Sequence, residues 1–230
     1  MESYRKIIYI LLSLFTVIIT GCVDEVFPTV NGGDMDKKVT ISFDIPGFDI
    51  PVTRSIEDGK GEAVVEVVDV LVFDNSTPQV LTEHIQVTEI TQSSAAPTYS
   101  ASFKIALTEN TDARTVVLIA NATHEVISAL GSNPEGTPKQ QILAALKFKS
   151  NLTDGNYKWK VGTNPTPIPM YGEAAVNGVK GGMSLSNINL TRMVARIDVE
   201  NKVDASTFKL QEIYVVNYNI RGYIAPAWNT

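Results

Sequence analysis

The 230-residue sequence contains one cysteine and two histidines, and both scarcities exclude chemistry. A lone thiol closes no intramolecular disulfide and builds no cysteine-ligated metal site, so the folded part must be held by packing. His84 and His124 stand in no HExxH motif, with no neighbouring cysteine and no metal-ligand spacing. They read as surface or strand-end residues. Also missing are a G-x-S-x-G elbow, the remainder of a phosphate-binding loop around Gly59-Lys60-Gly61, and any assignable carboxylate pair. No cofactor or metal is called for, and catalysis is not expected. There is no basic excess either: 19 Lys and Arg against 25 Asp and Glu give a formal charge of −6, which argues against a nucleic-acid partner.

Long apolar runs are confined to the start of the chain. Arg5 and Lys6 precede an apolar run from Ile7 to Ile19, too short and too near the N-terminus for a membrane span. It reads as a signal peptide. Ile19-Thr20-Gly21-Cys22 resembles the bacterial lipoprotein box, whose cysteine is acylated and becomes the new first residue. Residues 1–21 are then a lipoprotein signal peptide, and acylated Cys22 tethers the mature chain to a membrane without spanning it. Loss of Glu2, Arg5 and Lys6 leaves 17 basic and 24 acidic side chains, a charge of −7. Val23 to Lys38 is polar and carries Pro28, Asn31, Gly32 and Gly33, so residues 22–38 read as a flexible tether to a domain at 39–230. Asp34-Met35-Asp36 resembles the opening of a calcium loop, but Lys37 and Lys38 follow where ligands and a glycine are needed.

What is present is strand periodicity. Val39, Ile41, Phe43 and Ile45 alternate with Thr40, Ser42 and Asp44, the pattern of a strand with one buried face, and Pro46 ends it. A polar loop with Pro51, Arg54 and Gly59 leads to the almost wholly apolar Ala63 to Phe73, as expected of a strand covered on both faces. A trypsin-like protease cutting after Arg54 would separate the first strand from the body. Further strands are expected over Val80 to Thr88, Tyr99 to Leu107, Thr115 to Ala120, Met193 to Glu200 and Leu210 to Tyr218, with Thr115 to Ala120 central. One helix is expected, with Thr137 as cap, Pro138 at its first position, Gln140 completing a capping box, and Ile142, Leu143 and Leu146 as its apolar stripe. Ser150 to Pro169 reads as a loop with a hairpin signal at Asp154-Gly155, and Ile168-Pro-Met-Tyr-Gly172 ends it. About seven or eight short strands with one or two short helices point to an all-β protein, an antiparallel β-sandwich.

Several motifs in order along the mature chain resemble one family. The lipoprotein box at Cys22, Val-Thr-Arg54-Ser55, Val70-Leu-Val-Phe-Asp74, Ile168-Pro-Met-Tyr-Gly172, Leu190-Thr-Arg-Met-Val-Ala-Arg-Ile197 and Asn217-Tyr-Asn-Ile-Arg-Gly-Tyr-Ile-Ala-Pro226 together are similar to the fimbrillins, the subunits and anchors of type V pili. The resemblance implies a transthyretin-like sandwich and export to the outer membrane. It also implies processing by an arginine-specific protease and a final place in a cell-surface fimbrium. Cys22 matches the lipidated position and Arg54, before Ser55, the processing position. In the family's stalk subunits the cut releases lipid and first strand together, and a strand from another subunit fills the groove. The implied partners are other fimbrial subunits through β-strand addition, the outer membrane and the protease. Family members continue into a second domain where this sequence stops at Thr230, so a C-terminal domain is expected to be absent or truncated. Two other roles fit the same residues. One is a lipid-retaining anchor or cap; the other is an outer-membrane lipoprotein binding glycan or protein through Tyr157 and Trp159, although their alternate spacing also suits packing on one face.

Overall fold

A computed structural model of the chain describes residues 38–46, 63–93, 99–149, 167–194, 199, 209–214, 216 and 221–226. The leader, the tether, the Arg54 loop and the hairpin carrying Tyr157 and Trp159 lie outside them.

The fold is all-β, with two sheets face to face and two short helices on the outer side of one. The elements are β1 (Val39–Ile45), β2 (Val68–Phe73), β3 (Leu81–Val87), β4 (Thr91–Ser93), β5 (Tyr99–Ile105), β6 (Asn110–Ala120), α1 (Thr123–Leu130), α2 (Lys139–Ala145), β7 (Lys147–Lys149), β8 (Met170–Val179), β9 (Ser184–Asn189), β10 (Thr191–Arg192) and β11 (Arg221–Tyr223). One sheet has the order β4-β5-β1-β9, the other β10-β8-β6-β2-β3, and β7 pairs with β11. All pairings are antiparallel except β1 with β9, which is parallel.

Side-chain alternation sorts these strands into two cores. Val68, Val70 and Val72 of β2 and Val116, Leu118 and Ala120 of β6 meet β1, β5 and β9 between the sheets. Leu71, Phe73, Val117 and Ile119 point the other way, against Val126 and Leu130 of α1 and Ile142, Leu143 and Leu146 at α2. β2 and β6 are therefore covered on both faces, which is why their sequences are near-continuous apolar runs. The buried strand starts at Val68 rather than Ala63; residues 64–67 belong to no strand.

Further features depart from the sequence reading. α1 was not expected: its cap residue is Ala122, with no side-chain cap bond, so the usual start signal is missing. At α2 the capping box does not form. Pro138 is the cap residue and no side chain caps it, while the Thr137 carbonyl accepts the Leu81 N–H at 2.9 Å and so ties the helix start to β3. Ile168 to Gly172 does not end a loop but leads into β8, a long strand rich in small residues. Finally, Leu210 to Tyr218 is not a strand where it is described: residues 209–214 and 216 are unpaired and exposed. Of Met193 to Glu200, Met193 and Val194 form a bend, and the rest lies outside the described residues apart from an exposed Val199.

β9 was missed for a physical reason. Its buried residues Leu185 and Ile188 are three apart, because a bulge with Asn187 at φ 64 breaks the period of two. Past Asn189 the chain leaves the β1 sheet and joins the other as β10. At this corner Gly172 of β8 lies so close that an added Cβ would stand 2.8 Å from both the Asn189 carbonyl oxygen and Leu190 Cδ2. α2 is pinned to β8 through Glu173, whose Oε2 accepts from Lys139 Nζ and from the Tyr171 hydroxyl, both at 2.6 Å. Burial, and then the Glu173 carboxylate, push the Tyr171 phenol well above its ordinary range.

Candidate functional site

Alternation places Val39, Ile41, Phe43 and Ile45 on one face of β1, and all four are at most 1% exposed. Thr40, Ser42 and Asp44 on the other face are half-buried. β1 is an interior strand of its sheet, with β5 on one side and β9 on the other. Against β5 the register is Val39↔Ile105, Ile41↔Phe103, Phe43↔Ala101 and Ile45↔Tyr99. Against β9 it is Ile41↔Leu185 and, across the bulge, Phe43↔Ile188. The Phe43 and Phe103 rings are 6.1 Å apart at 56°, a tilted aromatic pair.

Both ends of β1 are held. At the N-terminal end Thr40 N–H donates to the Met183 carbonyl at 2.9 Å and Gly182 N–H to that of Lys38 at 3.2 Å. At the C-terminal end Leu190 N–H donates to the Asp44 carbonyl at 2.8 Å, and Arg192 Nη1 to that of Pro46 at 2.7 Å. These last two bonds come from the corner between β9 and β10. Sequence reasoning did not find Leu190 and Arg192 as partners of β1, because a contact across 146 residues leaves no local signal.

Of the residues the sequence singled out, the structure brings the four β1 side chains together on one wall of the core. Cys22, Arg54 and Ser55 lie outside the described residues, as do Tyr157 and Trp159. His124 is exposed in the first turn of α1. His84 has a partner that spacing did not reveal: its Nε2 is 2.8 Å from Oδ1 of the fully buried Asp69. Thr123 Oγ1 donates to the other oxygen of Asp69 at 2.6 Å. The hydroxyl is bonded to the carboxylate and not to the imidazole, so the trio lacks the hydroxyl–imidazole contact of a nucleophile–histidine–carboxylate triad. The trio instead fastens α1 to β2 and β3. Among the described residues no group of three or more His, Cys, Asp or Glu is placed to hold a metal ion.

Residues 32–226 match the model of the family described as fimbrillin-A associated anchor proteins Mfa1 and Mfa2. Among solved structures, the chain is similar to a fimbrial assembly protein from Parabacteroides distasonis ATCC 8503, at 10% identity and a TM-score of 0.39, over 68% of this chain and 52% of that one. It is also similar to a second protein of that organism ascribed to cell adhesion, at 12% identity and a TM-score of 0.44, over 69% of this chain and 46% of the other. The chain thus spans about half the length of these structures. No curated protein matches it.

Proposed function

The chain belongs to the family of fimbrillin-A associated anchor proteins, Mfa1 and Mfa2, and from that premise we propose that this fimbrial protein is a subunit precursor, exported as a lipoprotein on Cys22 and assembled by strand exchange. An arginine-specific protease cuts between Arg54 and Ser55, and β1 leaves with the lipid. The observation that carries this reading is the place of β1: an interior strand whose covalent link to the strands that follow runs through residues 47–62, the segment holding Arg54. Its four inward side chains are each worth about 1.5 to 3 kcal/mol of burial, so the strand contributes on the order of 6 to 12 kcal/mol as an upper bound. That rivals the stability of a whole domain. A cut chain that loses β1 exposes an apolar slot and two unpaired strand edges, and capture of a strand from a neighbour restores both. Head-to-tail capture does not close on itself, so it builds a filament. The role is structural, at the cell surface, with other fimbrial subunits as partners and the outer membrane as the site of tethering.

The family's description as anchor proteins favours a second reading, in which the lipid and β1 are kept and the chain terminates the fibre at the membrane. Mass spectrometry of the N-terminus in surface material separates the two. A chain beginning at Ser55 supports the exchanged subunit; an acylated chain beginning at Cys22 supports the anchor. An unacylated Cys22 together with an uncut Arg54-Ser55 bond overturns both.

A further inference from the structure

We infer that the slot occupied by β1 selects its occupant at one position, taking an extended peptide with four alternate apolar residues of which the third is an aromatic hydrocarbon. This rests on the strand-exchange reading and adds what the incoming strand must look like. The four inward residues of β1 do not meet equivalent surroundings. Val39 and Ile41 stand opposite the bulky Ile105 and Phe103, whereas Phe43 stands opposite Ala101. The methyl of Ala101 leaves the width of a ring unfilled by β5, and Phe43 fills it while 1% exposed.

The two neighbours wall this position separately. On β5 the Phe103 ring lies two residues along from Ala101 and meets Phe43 in the tilted pair at 6.1 Å. On β9 the extra residue of the bulge lets Ile188 turn inward beside Phe43, where an unbroken alternation from Leu185 would have turned Asn187. Ile188 is itself fully buried. An aliphatic chain at this position touches fewer of these walls, and an alanine leaves a ring-sized cavity in a core packed at crystal density. A tyrosine carries its hydroxyl into a core cluster of buried apolar side chains, which offer it no hydrogen-bond partner.

The same rule rejects an internal candidate. Leu210, Tyr214 and Val216 are exposed apolar residues in an unpaired segment, and Tyr214 would fall at the third position of a four-residue alternation. The second position would then be Glu212, a carboxylate against Phe103. The shifted alternation, Lys209, Gln211, Ile213 and Val215, has polar residues at its first two positions. The occupant this selectivity calls for is a strand of a partner subunit with the apolar, apolar, aromatic, apolar order that β1 itself carries.

The test supplies the strand in trans. The full chain, cut at Arg54 by an arginine-specific protease, is incubated with fluorescent synthetic peptides of residues 39–45, and uptake is followed by anisotropy. The native peptide is expected to bind. The peptide with Phe43→Ala is expected to bind about a hundredfold more weakly, with Phe43→Leu about tenfold, and with Thr40→Ala, which changes the outward face, about equally. Val39→Ala, at the end of the slot, should lose less than Phe43→Ala. Equal binding of the native and Phe43→Ala peptides overturns the selectivity while leaving strand exchange standing. Failure of every peptide to bind overturns the exchange reading and the selectivity with it.

Discussion

Where β6 ends, Asn121 takes the left-handed backbone at φ 57 and ties two other segments to its own with one amide. Its Nδ2 donates to the carbonyls of Val64 at 2.8 Å and Ile168 at 2.9 Å, and its Oδ1 accepts from Glu66 N–H at 2.9 Å. Asn121→Gly keeps the backbone geometry and loses the three bonds, which should cost roughly 2 to 4 kcal/mol in urea unfolding. Asn121→Ala should be about 1 kcal/mol worse again, because it also forces a Cβ into the left-handed region. Equal, near-native stability of the two variants would show that water replaces the amide. None of this was legible in the sequence, where Asn121 is one more polar residue after an apolar run. The expectations for Cys22 and Arg54 rest on local signals alone, a cysteine after small residues and a basic residue in a polar loop, and both positions lie outside the described residues. Asp69 and His84 fall between the two: each is visible, but their pairing depends on the register of β2 with β3.

At the scale of elements, legibility followed the regularity of the period. β1, β5 and the second half of β6 carry regular patterns and the sequence reading of each agrees with the structure, while β2 agrees except for its start, at Val68 rather than Ala63. β8 hides behind Gly172, Ala174, Ala175 and Gly178, residues depleted in strands. The structure gives two of these glycines a purpose. Gly172 admits the crossing strand at Asn189 and Leu190, and Gly178, at φ 86, passes beneath the Asn110 carbonyl. Gly172→Ala must push the corner between β9 and β10 away from β8, since the nearest atom is backbone oxygen that no rotamer change can move. The expected cost is about 1 to 3 kcal/mol by thermal or urea unfolding. The same corner carries Leu190, whose N–H donates to the Asp44 carbonyl at the end of β1, so the substitution should also speed amide exchange at Leu190. An unchanged melting curve with unchanged exchange would mean that the corner is held elsewhere.

For the molecule as a whole, the layers decide which parts open first. β2 and β6 lie between two apolar layers, whereas β1 has one apolar face and one half-exposed face. Hydrogen exchange on the intact chain should therefore be slowest in β2 and β6 and fastest in the short β4, β7 and β11. After a cut at Arg54 the protection of β1, β5 and β9 should fall while that of β2 and β6 holds. Protection of β1 outlasting that of β2 would place it in the permanent core and remove the basis for its release. The sequence revealed the all-β class and the one-faced first strand, because both rest on the period of two. It did not reveal that β1 and β9 run in the same direction, since strand partnership is a property of the whole chain. That pairing has a consequence for fibre polarity. A strand entering between β5 and β9 meets one parallel and one antiparallel neighbour whichever way it runs, so the backbone ladder alone is indifferent to its heading. If the fibre assembles by the strand exchange proposed above, the order of side chains read from one end then sets which way it grows.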